Sequence, residues 1–225
     1  MPSKFSRRRL LQSVGIVCAT GSFSGCSGLQ TTQTETSLDT DDTPASDSPP
    51  TLSELSGGVQ PAGDPPQVVD EFECSEYPEF KRPAQNYRSV HWGDNGTTST
   101  EPTFALRVEP LELPKGDELT LTLTNVSNER AGRAWPMDAN FEVYTANGWV
   151  EIRGYTDGTA APIPAGRIEM KPGEQAQWSF PMTEQGIVTA FRGAPNNLAV
   201  CPGLPVGRYR YVSTVGVAVA FDLVE

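Results

Sequence analysis

Leu119-Thr120-Leu121-Thr122-Leu123-Thr124 sets three leucines on one side of an extended backbone and three threonines on the other, because successive side chains of a strand point to opposite faces. The same period of two recurs at 103–108, where Phe104, Leu106 and Val108 share a face, and at 141–144, 149–152 and 208–213. It recurs again at 177–180, with Trp178 and Phe180 together, and at 217–224. Turn signals separate these runs. Asn147-Gly148 between two alternating segments predicts a hairpin, since both residues tolerate positive φ. Lys171-Pro172-Gly173-Glu174 predicts a type II turn, with Pro fixing one φ and Gly supplying the positive one. No window carries the 3.6-residue spacing of an amphipathic helix. Seven or eight short strands of this kind predict an all-β fold, a β-sandwich over residues 67–225.

The chain before it reads differently. Residues 27–66 are Thr, Ser, Asp, Pro and Gly with almost no aromatic residue, a composition too poor in apolar surface to offset the entropy of ordering. This segment is expected to be a disordered acidic tether, and residues 27–80 contain no Lys or Arg. Residues 1–26 have a basic head (Lys4, Arg7, Arg8, Arg9), a weakly apolar middle and a small-residue run ending at Cys26, the layout of an export signal. The apolar part is shorter than the roughly 20 residues a helix needs to span a bilayer.

Ser6-Arg7-Arg8-Arg9-Leu10-Leu11-Gln12 resembles the twin-arginine export consensus, and Phe23-Ser24-Gly25-Cys26 resembles a lipobox. These resemblances imply an exported lipoprotein held to the outer face of the cell membrane by a lipid on Cys26. One acyl chain binds a membrane only marginally, and an acidic segment follows Cys26 where a basic patch could have helped. The anchor must therefore carry two chains. The acidic composition, with 4 Lys among 17 basic residues, resembles that of secreted proteins from extremely halophilic archaea.

Charge narrows the function classes. Of the 17 basic residues 4 precede position 27, all 28 acidic residues follow it, and the formal net charge is −11. Nucleic acid is an unsuitable partner, because binding it depends on Lys and Arg neutralising phosphates. Arg208-Tyr209-Arg210-Tyr211 therefore reads as an ordinary strand rather than a stacking platform for single strands.

Cys18 leaves with the signal and Cys26 takes lipid, so Cys74 and Cys201 remain to form one disulfide in an oxidising compartment. The competing reading, Cys201 as a nucleophile, needs a base, and His91 is the one histidine. Blue-copper and zinc-hydrolase sites want at least a pair of histidines, so no metal or other cofactor is expected. Asp94-Asn95-Gly96 and Asp157-Gly158 read as turns rather than calcium loops. Asn95 and Asn125 head glycosylation sequons. Trp92, Trp135, Trp149 and Trp178 are either core residues or a sugar platform.

A family resemblance rests on Asn147-Gly148-Trp149-Val150, on Lys171-Pro172-Gly173-Glu174, on Leu204-Pro205-Val206-Gly207-Arg208-Tyr209-Arg210-Tyr211-Val212, and on Ala220-Phe221-Asp222-Leu223. Together they resemble a bacterial immunoglobulin-like domain of exported lipoproteins, over about residues 103–225. The resemblance implies an immunoglobulin-like sandwich. The chain departs from the pattern at 186–202, which reads as an insertion, and residues 74–102 read as an additional arm that the disulfide would staple to it. Tyr209, just inside a strand after a turn, is expected to donate its hydroxyl to upstream backbone as a tyrosine corner.

The expected function is a lipid-anchored, non-catalytic surface module with an interaction or envelope role and an unidentified protein or glycan partner. The alternative is a small exported hydrolase using Glu142 and Glu151 across the hairpin. Against it stands the reading of both as solvent-facing strand charges.

Overall fold

A computed structural model describes residues 48–70, 72–84, 87, 89–97, 99–134, 139–160, 167–190 and 194–225. Arg7, Arg8, Cys26 and Trp135 lie outside them, as do the proposed signal and residues 27–47. In chain order the strands are β1 (His91–Trp92), β2 (Phe104–Glu109), β3 (Glu112–Pro114), β4 (Glu118–Asn125), β5 (Ala131–Ala134), β6 (Asn140–Thr145) and β7 (Gly148–Glu151). They continue with β8 (Arg153–Tyr155), β9 (Arg167–Met170), β10 (Gln175–Pro181), β11 (Leu198–Val200), β12 (Gly207–Val212) and β13 (Val217–Val224).

The chain is an all-β sandwich, as the alternation predicts. One sheet has the order β10-β4-β2, and the larger one runs β1-β13-β12-β6-β7 with β3 also on β13. Leu119, Leu121 and Leu123 are buried while Thr120 and Thr122 are half-exposed, so β4 sits in the register its sequence specifies. Phe180 of β10 meets Phe141 of β6 edge-on at 6.1 Å, and Phe141 also contacts Tyr209, Tyr211 and Phe221. Each large side chain enclosed between the sheets contributes about 1.5–3 kcal/mol.

The turns follow their residues, with one shift. Glu174 N–H donates to the Lys171 carbonyl at 3.0 Å and Gly173 has φ 72°, as a type II turn requires. In the β6–β7 hairpin Thr145 pairs with Gly148, so Ala146 and Asn147 form the loop, one residue earlier than expected. Gly148 alone takes the positive φ, 101°, in keeping with a turn followed by a glycine bulge. Thr145 Oγ1 secures it by accepting from Asn147 N–H and donating to the Gly148 carbonyl.

Tyr209 is wholly enclosed, and its hydroxyl donates to the Pro205 carbonyl at 2.6 Å, which is the expected tyrosine corner. Burial pushes its phenol far above the ordinary range, so it remains a donor. Tyr209→Phe is expected to lower stability by about 1 kcal/mol, the typical worth of one intramolecular hydrogen bond, read from the urea midpoint. An unchanged midpoint would leave the corner without energetic weight.

The folded body begins earlier than composition indicates. Residues 27–66 read as tether throughout, yet residues 58 and 59 are built into the folded body. Gly58 exchanges two 2.9 Å backbone hydrogen bonds with Val108 of β2, and the Val59 carbonyl accepts from Ala220 of β13 at 2.8 Å. Gly93 does the same lower down, accepting from Leu106 and donating to Ala218. These short segments stitch one sheet to the other and cover an edge that would otherwise present unpaired backbone. Arg107 reinforces them by donating to the Gly93 and Leu52 carbonyls. Backbone pairing needs no apolar side chain, so the composition of 48–66 does not reveal it.

The additional arm and the insertion meet as proposed. Cys74 and Cys201 are bonded, 127 positions apart. β11, from the insertion, pairs with β8, and Lys81 of the arm pairs with Tyr155 on β8 as well. The Phe80 ring fills the space that any side chain at Gly154 would need, 2.4 Å from where its Cβ would stand. Arg82 completes the junction. It donates to the carbonyls of Glu151, Phe72 and Cys201, and its guanidinium lies 5.2 Å from the centroids of both Phe72 and Phe80. The chain enters the insertion through α1 (Glu184–Thr189), a helix the periodicity missed because it is under two turns long. Thr183 Oγ1 caps it by accepting from Gly186 N–H.

Candidate functional site

Alternation along β12, β6 and β13 sends Tyr209, Tyr211, Phe141, Val143, Phe221 and Leu223 into the core. Arg208, Arg210, Glu142, Tyr144 and Asp222 therefore occupy the opposite face of the larger sheet. Register then decides their partners. Arg208 is opposite Asp222 and Arg210 opposite Glu142. Each pair forms a charge-assisted bond through the guanidinium Nε. Glu142 is also opposite Glu151 on β7, but the two carboxylates turn to different arginines, because Glu151 holds Arg153 at 2.8 Å.

This arrangement corrects both sequence readings of Glu142 and Glu151. Neither faces solvent: Glu142 is 0% exposed and Glu151 is 4% exposed. Glu151 also accepts from the backbone N–H groups of Phe141 and Arg153, and Arg153 donates in addition to the Ala139 carbonyl. Glu142 Oε1 accepts from the Tyr87 hydroxyl at 2.8 Å, while Arg210 donates to that hydroxyl oxygen at 2.8 Å. Burial, and then the bond to Glu142, push the Tyr87 phenol up to about 12. A general acid or base must reach a proton on the substrate. These carboxylates are instead engaged by arginines inside the protein, and the hydrolase pair loses its chemistry.

Above the Arg210–Glu142 pair lies a group of aromatic side chains. The Arg210 guanidinium stacks 4.4 Å from the centroid of Trp149 and 5.7 Å from that of Tyr87. Tyr144 meets Trp149 edge-on at 5.2 Å, and Trp92 approaches Trp149 at 6.4 Å with planes inclined by 55°. Trp92 is 39% exposed. Of the four tryptophans considered from sequence, the structure brings Trp92 and Trp149 together. Trp178 belongs to the other sheet, packed against the core, and Trp135 is outside the described residues.

The remaining candidates resolve into structural roles. Cys201 is 1% exposed and joined to Cys74, so a thiolate paired with His91 is ruled out in this form. His91 Nε2 shares a 3.0 Å hydrogen bond with Ser89 Oγ. Asp94 Oδ1 accepts from Gly96 N–H, and Asp157 Oδ1 from Thr159 N–H and Asn197 Nδ2, as turn residues do. No group of three or more His, Cys, Asp or Glu among the described residues is placed to hold a metal ion.

The two sequons part company. Asn125 is 0% exposed, and its Nδ2, the atom a glycan would occupy, donates to the Glu129 and Met170 carbonyls. In the folded chain it is a structural residue and no acceptor. Asn95 is half-buried, with Oδ1 accepting from the backbone of Thr103 and Phe104.

Sequence reasoning missed Tyr87 and Arg82, which lie in a segment without strand periodicity. It also missed the ion pairing of Arg208 and Arg210. For those two a signal existed: both are charges alternating with core tyrosines, opposite a strand carrying Glu142 and another carrying Asp222.

No protein family and no curated protein matches this chain. Among solved structures it is similar to a mutant β-glucosidase from Listeria innocua in complex with laminaribiose. The identity is 11% and the TM-score 0.28, over 56% of this chain and 17% of that one. It is also similar to the β-glucosidase from Listeria innocua in complex with isofagomine, at 17% identity and TM-score 0.30, over 70% of this chain and 22% of that one. The chain thus spans under a quarter of the length of these enzymes, and the likeness is too slight to carry an argument about activity.

Proposed function

We propose that this protein is an exported, lipid-anchored surface module with an immunoglobulin-like sandwich body that binds or organises rather than catalyses. The observation that carries the non-catalytic reading is the fate of Glu142 and Glu151, each buried against an arginine. The signal-like residues 1–26 and the lipobox-like approach to Cys26 support the placement at the outer face of the cell membrane. The Cys74–Cys201 bond is in keeping with an oxidising compartment, and the acidic, Lys-poor composition with a halophilic source. The partner under this reading is a protein or glycan at the cell surface, not nucleic acid.

Intact-mass analysis of the native protein tests the placement. The expected result is a mature chain beginning at Cys26 and carrying the added mass of a two-chain lipid. An unprocessed start, or a mature terminus without hydrocarbon, overturns it.

A further inference from the structure

The fold covers one margin of the smaller sheet and leaves the other bare. On β2, Val108 pairs with Gly58, and Leu106 donates to the Gly93 carbonyl. β10 ends the sheet on the far side, and no described segment other than β4 pairs with it. Register shows which of its main-chain groups are left over. Asn125 N–H donates to the Glu174 carbonyl, so by alternation the groups of Ala176, Trp178 and Phe180 turn to β4 and those of Gln175, Gln177 and Ser179 turn outward. All three outward residues are exposed. Edge strands are commonly kept from pairing by Lys, by inward charges, by bulges or by brevity. β10 is 7 residues long, carries no charged side chain and has a proline only at its last position, Pro181.

This margin is complementary to itself. The 171–174 turn bounds it on one side and Pro181, which has no N–H, on the other, so the outward residues are centred on Gln177. Two copies laid antiparallel about a two-fold axis through Gln177 set Gln175 opposite Ser179 and Gln177 opposite its counterpart. Each facing pair exchanges two backbone hydrogen bonds, and no outward N–H or carbonyl of the three residues is left over. Sliding the copies by two residues either way sets Gln175 against Pro181, or Ser179 against Gly173, whose N–H is already given to the Asn125 carbonyl. Either shift strands a carbonyl. The side chains agree with the centred register. On the outer face amide meets hydroxyl and amide meets amide, groups that both donate and accept. On the inner face Ala176 lies opposite Trp178, a small residue against a large one. No like charges are brought together, although the chain carries a formal net charge of −11. A foreign strand would have to match this pattern, whereas a second copy does so by symmetry. We infer that β10 pairs antiparallel with β10 of a second copy of this chain, joining two three-stranded sheets into one. The contact is below the roughly 1,200 Å² of a stable interface, so the dimer is weak and reversible. This inference goes beyond the surface-module reading and does not rest on it.

Sedimentation equilibrium of the full chain at high salt is expected to show a reversible monomer–dimer equilibrium. Gln177→Pro removes one outward N–H from each copy and leaves the ladder to β4 intact, as proline does on an edge. Gln177→Lys sets two cations face to face on the axis. Each should raise the dissociation constant at least about tenfold. Asn147→Lys, an equal change of charge in the exposed β6–β7 loop, should leave it as in the wild type. Urea midpoints near the wild-type value show that the variants are folded. Cysteine cross-linking reads the register without disturbing the backbone. Gln177→Cys should form an interchain disulfide under mild oxidation, because directly opposed Cα atoms of a hydrogen-bonded pair lie about 5.5 Å apart, within the span of the bond. Gln175→Cys should not, since residue 175 lies about 14 Å from its own counterpart in this register. A chain that stays monomeric up to about 0.5 mM overturns the inference. So does a dimer that survives both Gln177→Pro and Gln177→Lys, or one in which Gln175→Cys cross-links as readily as Gln177→Cys.

Discussion

Replacing Cys74 and Cys201 together by serine is expected to lower the stability of the folded body by up to about 5 kcal/mol, the chain-entropy value for a bond closing so long a loop. The two residues are 127 positions apart, and without the bond the arm is held by Arg82, the Lys81–Tyr155 pairing and the packing of Phe80 on β8. The loss should appear as a lower urea midpoint. Trypsin should also cleave faster after Lys81, which the junction with β8 otherwise protects. A double serine variant with the wild-type midpoint and the wild-type cleavage rate would show that the arm is held without the bond.

Glu142→Ala should cost about 3–5 kcal/mol, the range seen when one member of a buried ion pair is removed. The substitution leaves the Arg210 guanidinium 7% exposed beneath Trp149 without its carboxylate, and it deprives the Tyr87 hydroxyl of its acceptor. The penalty is for orphaned charge rather than for the lost attraction. Glu142→Leu combined with Arg210→Met should therefore recover much of the stability, since replacing both partners by apolar groups removes the uncompensated ion. Urea denaturation of the single and double variants decides it. A single variant within about 0.5 kcal/mol of the wild type, the range of ordinary surface substitutions, would mean that Glu142 faces water after all.

The strands were legible because a sandwich core writes itself into every second residue. Leu119, Leu121, Leu123, Phe104, Leu106 and Val108 all lie where alternation puts them. The same rule identified which side Glu142, Arg208 and Arg210 occupy, but not what covers that side. Alternation describes one strand, whereas burial of its polar face depends on Trp149 of a neighbouring strand and on Tyr87 and Trp92 from a distant part of the chain. The hairpin was located to within one residue, the uncertainty being whether Asn147 or only Gly148 takes positive φ. The pairing of residues 58 and 59 was illegible for a different reason. Its hydrogen bonds use main-chain atoms, which every residue but proline supplies equally, so nothing in a Ser- and Gly-rich composition marks it. The disulfide was legible by elimination among four cysteines, and the tyrosine corner from a turn preceding Tyr209.

The stitching of the two sheets has a consequence for biogenesis. Gly58, Val59 and Gly93 precede β2 in the chain, but two of their partners, Ala218 and Ala220, belong to β13, more than 120 positions later. A nascent polypeptide cannot complete that seam until β13 leaves the ribosome, and contacts of such long range form slowly. Until then Val59 and Gly93 lack their partners on β13, and the margin they present is open to neighbouring chains. Truncation near the C-terminus should therefore yield aggregates rather than a smaller soluble body.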